Sequence, residues 1–361
     1  MKVGIVGLPT SGKSTLFNAL TKGQAETGHF GSGKAEVNRG RTLVPDARLA
    51  WLASEYDTKK HTPAQVDFLD VPGLTPGSTD KATASLIADL RTVDALLHVV
   101  RVFDNPSVPH PLNRLDPRAD ADDLETEMVL ADLGVVEKRL ERIESDLGKG
   151  LNAQKLTAEK ELLVRLQEVL SEGEALRKME FTDDEIQAMR GYAFLSLKKQ
   201  IVLGNVGEEE PGGGETDAEL KTWAEERGLP YLPASAQIES EIALMDEDDA
   251  AAFLEDLGLE APSRDRVIRM AFDALSLISF FTFGEDECKA WTLQEPATAL
   301  DAAGKIHSDI ARGFIRAEIV AFDTFQELGS WSGAKDAGKH RLEGKEYAMQ
   351  DGDCVIFRFN V

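Results

Sequence analysis

The strand-like run KVGIV passes directly into GLPTSGKS, and this junction constrains the fold of the chain more than any other stretch. Gly7, Gly12, Lys13 and Ser14 fit G-x-x-x-x-G-K-[ST]. Such a loop works only between a buried strand and the start of a helix. Its glycines let backbone N–H groups curl around an anion, and the helix adds its positive dipole end. Gly7, Pro9, Thr10, Ser11, Gly12, Lys13, Ser14 and Thr15 are therefore expected to cradle the phosphates of a nucleoside triphosphate. Lys13 would reach the β- and γ-phosphates, and the Ser14 hydroxyl would ligate Mg2+.

A second element follows at the end of another apolar run, VDFLD. Asp70 to Gly73 reads DVPG. A carboxylate at a strand's C-terminal end beside a phosphate loop can hold Mg2+ through water, and the Gly73 amide can bond the γ-phosphate. Lys13, Ser14, Asp70 and Gly73 thus form the expected catalytic set, with Ser14 and Asp70 as the metal pair. A guanine nucleotide would next call for N-K-x-D after a strand. Here QIVLGN delivers NVGE: Asn205, Val206 and Glu208, with no lysine and with Glu where Asp would stand. A fixed Asp-like carboxylate suits the guanine N1–H and opposes the adenine N1 acceptor, whereas the longer Glu need not sit in that place. Glu208 is either a base reader or part of a surface loop. Ser235, Ala236 and Gln237 fit the remaining base-side loop, where backbone amides face the purine.

The apolar runs VGIVGL, VDFLDV and ALLHVV alternate with helical patterns, which predicts a largely parallel α/β sheet. Near Asp120 the texture changes. Leu124, Leu133, Val136, Leu140, Ile143 and Leu147 recur at spacings of three and four among charges, a coiled-coil seam. GKGLN breaks it, and Leu156, Leu163, Leu166 and Leu170 mark a returning helix. TDDE at Thr182 to Glu185 predicts a capping box. This arm either touches a partner or packs on its own chain. After about Leu277, CKAWTL, FIRAEIVAF and DCVIFRFNV read as strands, with a helix in ALDAAGKIHSDIARG, which predicts a small α+β domain. The expected domains are a discontinuous P-loop domain (1–120 and 196–272), a helical insertion (121–195) and a C-terminal domain (277–361).

A formal charge of −24 argues against coating nucleic acid through a net field. No apolar run approaches a membrane span, no cleavable leader precedes the motif, and Cys288 and Cys354 are too few for a disulfide framework. A cytoplasmic monomer is expected, with no membrane association and no sequence-specific DNA binding. His98, on an apolar strand, is expected to be a packed core residue.

The phosphate loop, D-x-x-G, helical insertion and N-V-x-E, together with VPDARL, HVVRVF, GLEAPSRDRVIR, AAGKIHSDIARGFIRAEIVAFD and DGDCVIFRFNV, resemble the YchF proteins, the Obg-like ATPases, over almost the whole chain. The resemblance implies a P-loop NTPase G domain with a coiled-coil arm and a C-terminal β-grasp module of the TGS type. It implies ATP hydrolysis in preference to, or alongside, GTP, and association with ribosomes or ribosomal RNA. Asn205 and Glu208 would then be the base-recognition pair. Family loops usually read GLPNVGKS, so Thr10 and Ser11 replace Asn and Val. Lys34 falls where a switch I Thr would meet Mg2+, with Ser32 as its alternative. Leu74 follows D-x-x-G where many GTPases carry the Gln that orients water, so another group, or K+ as in certain relatives, would assist, and unaided turnover should be slow. Lys335, Lys339, His340, Arg341 and Lys345 make either an RNA-facing patch or a solvated loop face.

Overall fold

The computed structural model describes residues 1–21, 37–148 and 153–360. Two compact units divide them. One comprises Met1–Gly40 with Asp67–Arg264, and the other Arg41–Val66 with Asp265–Val361.

The first unit is organised on a six-stranded sheet in the order Asn38–Leu43, Gln65–Asp70, Lys2–Val6, Ala95–Arg101, Lys199–Asn205, Tyr231–Ala234. From Gln65–Asp70 onward every neighbouring pair is parallel. Parallel strands are covered on both faces by their crossover helices, so they must be apolar throughout rather than alternating. All seven residues of Ala95–Arg101 are buried, and five of them are apolar. His98 lies within it, as expected of a core residue, its Nδ1 3.2 Å from Gln200 Nε2. Burial first, then the charges of Arg177 and Lys13, push its pKa down to about 3.

The long helix Pro117–Gly148 serves two cores. Its first turns bury Leu124 and Met128 with Val71, Leu74, Leu86 and Leu90 beside the sheet. Its later turns bury Val129, Val136, Leu140 and Ile143 against Leu162, Leu163, Leu166 and Leu170 of Ala153–Ser171. The seam expected from Leu124 therefore starts later, because the helix begins on the sheet before it leaves as an arm. The arm's apolar stripe packs on its own chain, the second of its two readings. GKGLN falls largely outside the described residues. At the arm's root Asp132 is fully buried and accepts from Arg91, the Leu195 and Ser196 amides and the Ser196 hydroxyl. The Thr182–Glu185 capping box forms as the sequence predicts.

In the second unit the sheet order is Arg341–Glu343, Phe314–Ala321, Asp353–Phe359, Leu277–Phe283, Cys288–Gln294, His61–Thr62. Leu277–Phe283 and Cys288–Gln294 form an antiparallel hairpin, and Asp353–Phe359 joins the first of them in parallel. Ala299, Ala302 and Ala303 of one short helix pack with Ile278, Phe280 and Val355, so a mixed sheet grips a helix on one face. The single helix expected in ALDAAGKIHSDIARG is two, Ala299–Ile306 and Ser308–Arg312. His307 between them is extended, and its Nδ1 accepts from the Asp309 amide as a cap. Where a basic loop was read, Trp331–Asp336 is helical and Arg341–Glu343 is a strand. His340 faces Glu318 at 3.3 Å, and Arg341 donates to the Tyr347 hydroxyl at 2.9 Å.

Candidate functional site

The phosphate loop leaves the C-terminal end of Lys2–Val6, between Gln65–Asp70 and Ala95–Arg101, and leads into the helix Lys13–Thr21. Open α/β sheets bind ligands at this end of their strands. Gly12 has φ +91°, and a methyl there would stand 2.1 Å from the Asn205 Nδ2. Only glycine allows that approach. Lys13 is 6 % exposed and its Nζ donates to the Leu8 carbonyl at 2.7 Å, so the ammonium lies folded against the loop. Burial lowers its pKa to about 8, partly offset by the nearby Asp70 carboxylate. At neutral pH it remains a cation with little water around it, which strengthens its pull on an anion.

Ser14 Oγ donates to Asp70 Oδ2 at 2.8 Å, and Asn38 Nδ2 approaches the same oxygen at 3.4 Å. Asp70 is buried, and its Oδ1 has no hydrogen-bond partner. A buried carboxylate oxygen left open beside a hydroxyl is a donor set for a hard cation. Mg2+ typically takes one or two protein carboxylates and draws its other ligands from phosphates and water, so Ser14 and Asp70 fit it. Among the described residues no cluster of three or more carboxylates, His or Cys offers an alternative metal cage. Asn38 is an addition that sequence reading missed. Its only signal was its place at the end of GSGKAEVN, the stretch that the resemblance aligns with switch I. Lys34 and Ser32 of that stretch lie outside the described residues.

Gly73 packs on the phosphate loop itself: a methyl there would meet the Pro9 nitrogen at 2.5 Å and the Leu8 carbonyl carbon at 3.0 Å. The next residue, Leu74, donates its N–H to the Gly7 carbonyl at 3.1 Å and buries its side chain in the apolar cluster with Leu124 and Met128. The D-x-x-G turn is thus laid directly over the loop. A group arriving at the γ-phosphate position would meet it there. Further on, the Gly77 amide donates to Glu127 at 2.5 Å, tying the same segment to the root of the arm.

A cavity of about 620 Å³ is lined by Thr10, Gly12, Lys13, Ser14, Thr15, Asn205, Val206, Glu208, Ser235, Ala236 and Gln237. Residues drawn from three distant stretches of sequence therefore share one wall. Gly7, Pro9, Ser11, Asp70 and Gly73 are not part of that lining. Asn205 is a clasp: its Nδ2 donates to the Ser11 carbonyl at 2.8 Å, and its Oδ1 accepts from the Ala236 amide at 2.9 Å. Its amide thus joins the phosphate loop to the SAQ loop. Ser235 caps the following helix through the Ile238 amide. Glu208 and Glu209 line the cavity with exposed side chains. Phe103, Asp104, Asn105 and Val108 complete the lining, and sequence reading missed them. The available signal was position, since they follow the strand beside the phosphate-loop strand. A larger hollow, about 1120 Å³, lies in the arm among already paired charges such as Arg139 with Glu159. It gathers no phosphate-binding backbone, so size alone does not mark the site.

Comparison with known proteins agrees with this fold. Residues 2–138 match the family described as "50S ribosome-binding GTPase", and residues 277–360 match YchF-GTPase_C, described as "Protein of unknown function (DUF933)". The chain is 40 % identical over 362 residues to the Ribosome-binding ATPase YchF of Pasteurella multocida, covering 100 % of this chain and 99 % of that one. The protein of the same name from Bacillus subtilis is 38 % identical, with both chains covered in full. Obg-like ATPase 1 of Oryza sativa is 34 % identical, across 100 % of this chain and 92 % of the relative. The solved Schizosaccharomyces pombe YchF GTPase superposes with a TM-score of 0.88 at 28 % identity, over 99 % of this chain and 97 % of that one.

Proposed function

Because the chain belongs to the YchF family of Obg-like ATPases, we propose that it is a Mg2+-dependent P-loop nucleoside triphosphatase that prefers ATP and engages the ribosome according to its nucleotide state. The observation that carries this reading is the Ser14–Asp70 pair beside buried Lys13, with Lys13 and Ser14 lining the 620 Å³ cavity. Lys13 would exchange its bond to the Leu8 carbonyl for phosphate oxygens. Ser14 and Asp70 would hold the metal, which supplies charge neutralisation between the β- and γ-phosphates. Backbone amides of residues 9–15 would surround the phosphates, and Gly73 would report the γ-phosphate. Glu208, exposed in the cavity lining, would read the purine edge, and residues 235–237 would border it. Ribosome engagement comes from the names of the Pasteurella and Bacillus relatives.

A second reading has a specific observation behind it. Leu74 is buried and its N–H is taken by Gly7, so it offers nothing to orient an attacking water. A protein of this build could sense ATP with negligible turnover. Single-turnover hydrolysis of ATP and GTP, with and without ribosomes, separates the two. Slow ATP cleavage that ribosomes accelerate supports the enzyme. Tight ATP binding without cleavage in either condition establishes the sensor, and cleavage of GTP in preference to ATP overturns the base assignment.

A further inference from the structure

Arg101 stands at the C-terminal end of the strand beside the phosphate-loop strand, and it is 3 % exposed. Its guanidinium lies 4.4 Å from the centre of the Phe103 ring. Its three hydrogen bonds go to neutral acceptors: the Phe103 carbonyl at 3.2 Å, the Asn105 carbonyl at 3.4 Å and Thr10 Oγ1 at 3.4 Å. Among the described residues none places a carboxylate within ion-pair distance of it. Other arginines drawn toward this unit's interior are paired, Arg177 with Glu125 and Arg91 with Asp132. A buried guanidinium without a counter-charge is costly, and an anion arriving from outside would relieve that cost.

What Arg101 touches says which anion. Thr10 belongs to the phosphate loop and has φ +62°, a left-handed conformation that a β-branched residue rarely adopts. Phe103 and Asn105 line the cavity next to it. One side chain therefore fixes the strained position of the phosphate loop and the wall facing it. We propose that Arg101 is a positioning residue for the triphosphate: it holds Thr10 in place for the phosphates, whose negative charge supplies the counter-ion that the protein omits. This rests on the nucleotide reading given above.

The proposal distinguishes itself from a purely structural role by the sign of two effects. Replacing Arg101 by methionine removes a desolvated charge that nothing in the described protein balances. The ligand-free variant should then melt at or above the wild-type temperature. Its affinity for ATP should fall about tenfold or more, and the preference for ATP over AMP should shrink, since the lost term scales with phosphate charge. In turnover the loss should fall on KM more than on kcat. Arg101→Lys should restore most of the ATP-over-AMP preference. The measurement is calorimetric titration of wild type, Lys13→Ala, Arg101→Met and Arg101→Lys with ATP, ADP and AMP in Mg2+, with melting of each protein alone. Unchanged ATP affinity in Arg101→Met, or a lower melting temperature with no recovery in Arg101→Lys, overturns the assignment. If Lys13→Ala loses ATP while Arg101→Met keeps it, only the Arg101 role falls. A wild-type protein that binds no triphosphate removes the nucleotide reading and this inference together.

Discussion

The two ends of the nucleotide cavity are built differently. At the phosphate-loop end Lys13, Asp70 and Asn205 are buried while Ser14 is exposed, and each is bonded: Lys13 to the Leu8 carbonyl, Ser14 to Asp70, Asn205 to Ser11 and Ala236. At the base end Glu208 and Glu209 stand exposed on a loop containing Gly207. Preorganised, dry groups act strongly on charge and tolerate little change. Exposed side chains on a loop are screened and can reorient, so they contribute less and adjust more. Under the proposed function, gripping triphosphate would thus fall to the backbone and a few buried groups, whereas choosing the base would depend on a small difference between weak interactions.

The phosphate end should break hardest. Lys13→Met leaves the loop without its buried cation, and ATP affinity should fall on the order of a hundredfold, as expected for a desolvated charge-assisted contact. Asp70→Asn keeps the shape and removes the carboxylate. It should spare binding in the absence of Mg2+ and abolish the gain that Mg2+ gives, which titration at several metal concentrations reads directly. A variant Lys13→Met that binds ATP like wild type would remove the distinction between the two ends.

The same ammonium predicts two opposite pH trends. With its pKa lowered to about 8, Lys13 loses its proton above that value in the free protein, and ATP affinity should decline by up to tenfold per unit there. Stability should move the other way. Between about 8 and the ordinary lysine value near 10.5, the unfolded chain binds the proton and the folded one does not, so stability rises with pH. Denaturant melts of wild type and Lys13→Met across pH 7 to 10.5 isolate the contribution. The difference between them should grow in favour of wild type by on the order of 3 kcal/mol, and a flat difference would show that Lys13 is solvated.

Much of this contrast is legible in sequence, and unevenly so. GLPTSGKS and DVPG each fix a local geometry, because strand, turn and helix start follow one another within a few residues. The Ser14–Asp70 bond follows from the phosphate loop and Asp70 both lying at the C-terminal ends of adjacent parallel strands. The parallel sheet is visible in ALLHVV and QIVLGN because strands covered on both faces carry continuous apolar runs rather than alternation. What escapes is what depends on pairing across long separations. Asn38 gives no sign of reaching Asp70, nor Arg101 of reaching Thr10, ninety-one residues away. Leu124 carries the same heptad spacing as Leu140, yet one packs beside the sheet and the other in the arm. Periodicity reports that a face is apolar and not what covers it.

The smallest effect belongs to the base end, and it sharpens the comparison most. Glu208→Gln keeps length and hydrogen-bonding capacity and removes charge. If Glu208 reads the purine edge, the ratio of ATP to GTP affinity should shift by roughly threefold to tenfold, the range of one partly exposed hydrogen bond. Affinity for inorganic triphosphate, which has no base, should stay within about twofold of wild type. The exchange of Glu208 to Asp with Val206 to Lys restores the guanine-type sequence and should move the ratio furthest toward GTP. Parallel titrations with ATP, GTP and triphosphate measure all three quantities on the same proteins. A ratio that stays constant while triphosphate affinity changes would mean that Glu208 acts on charge at the mouth of the cavity. Base choice would then have to lie with the other groups that line it, Phe103, Asn105 and the amides of residues 235–237.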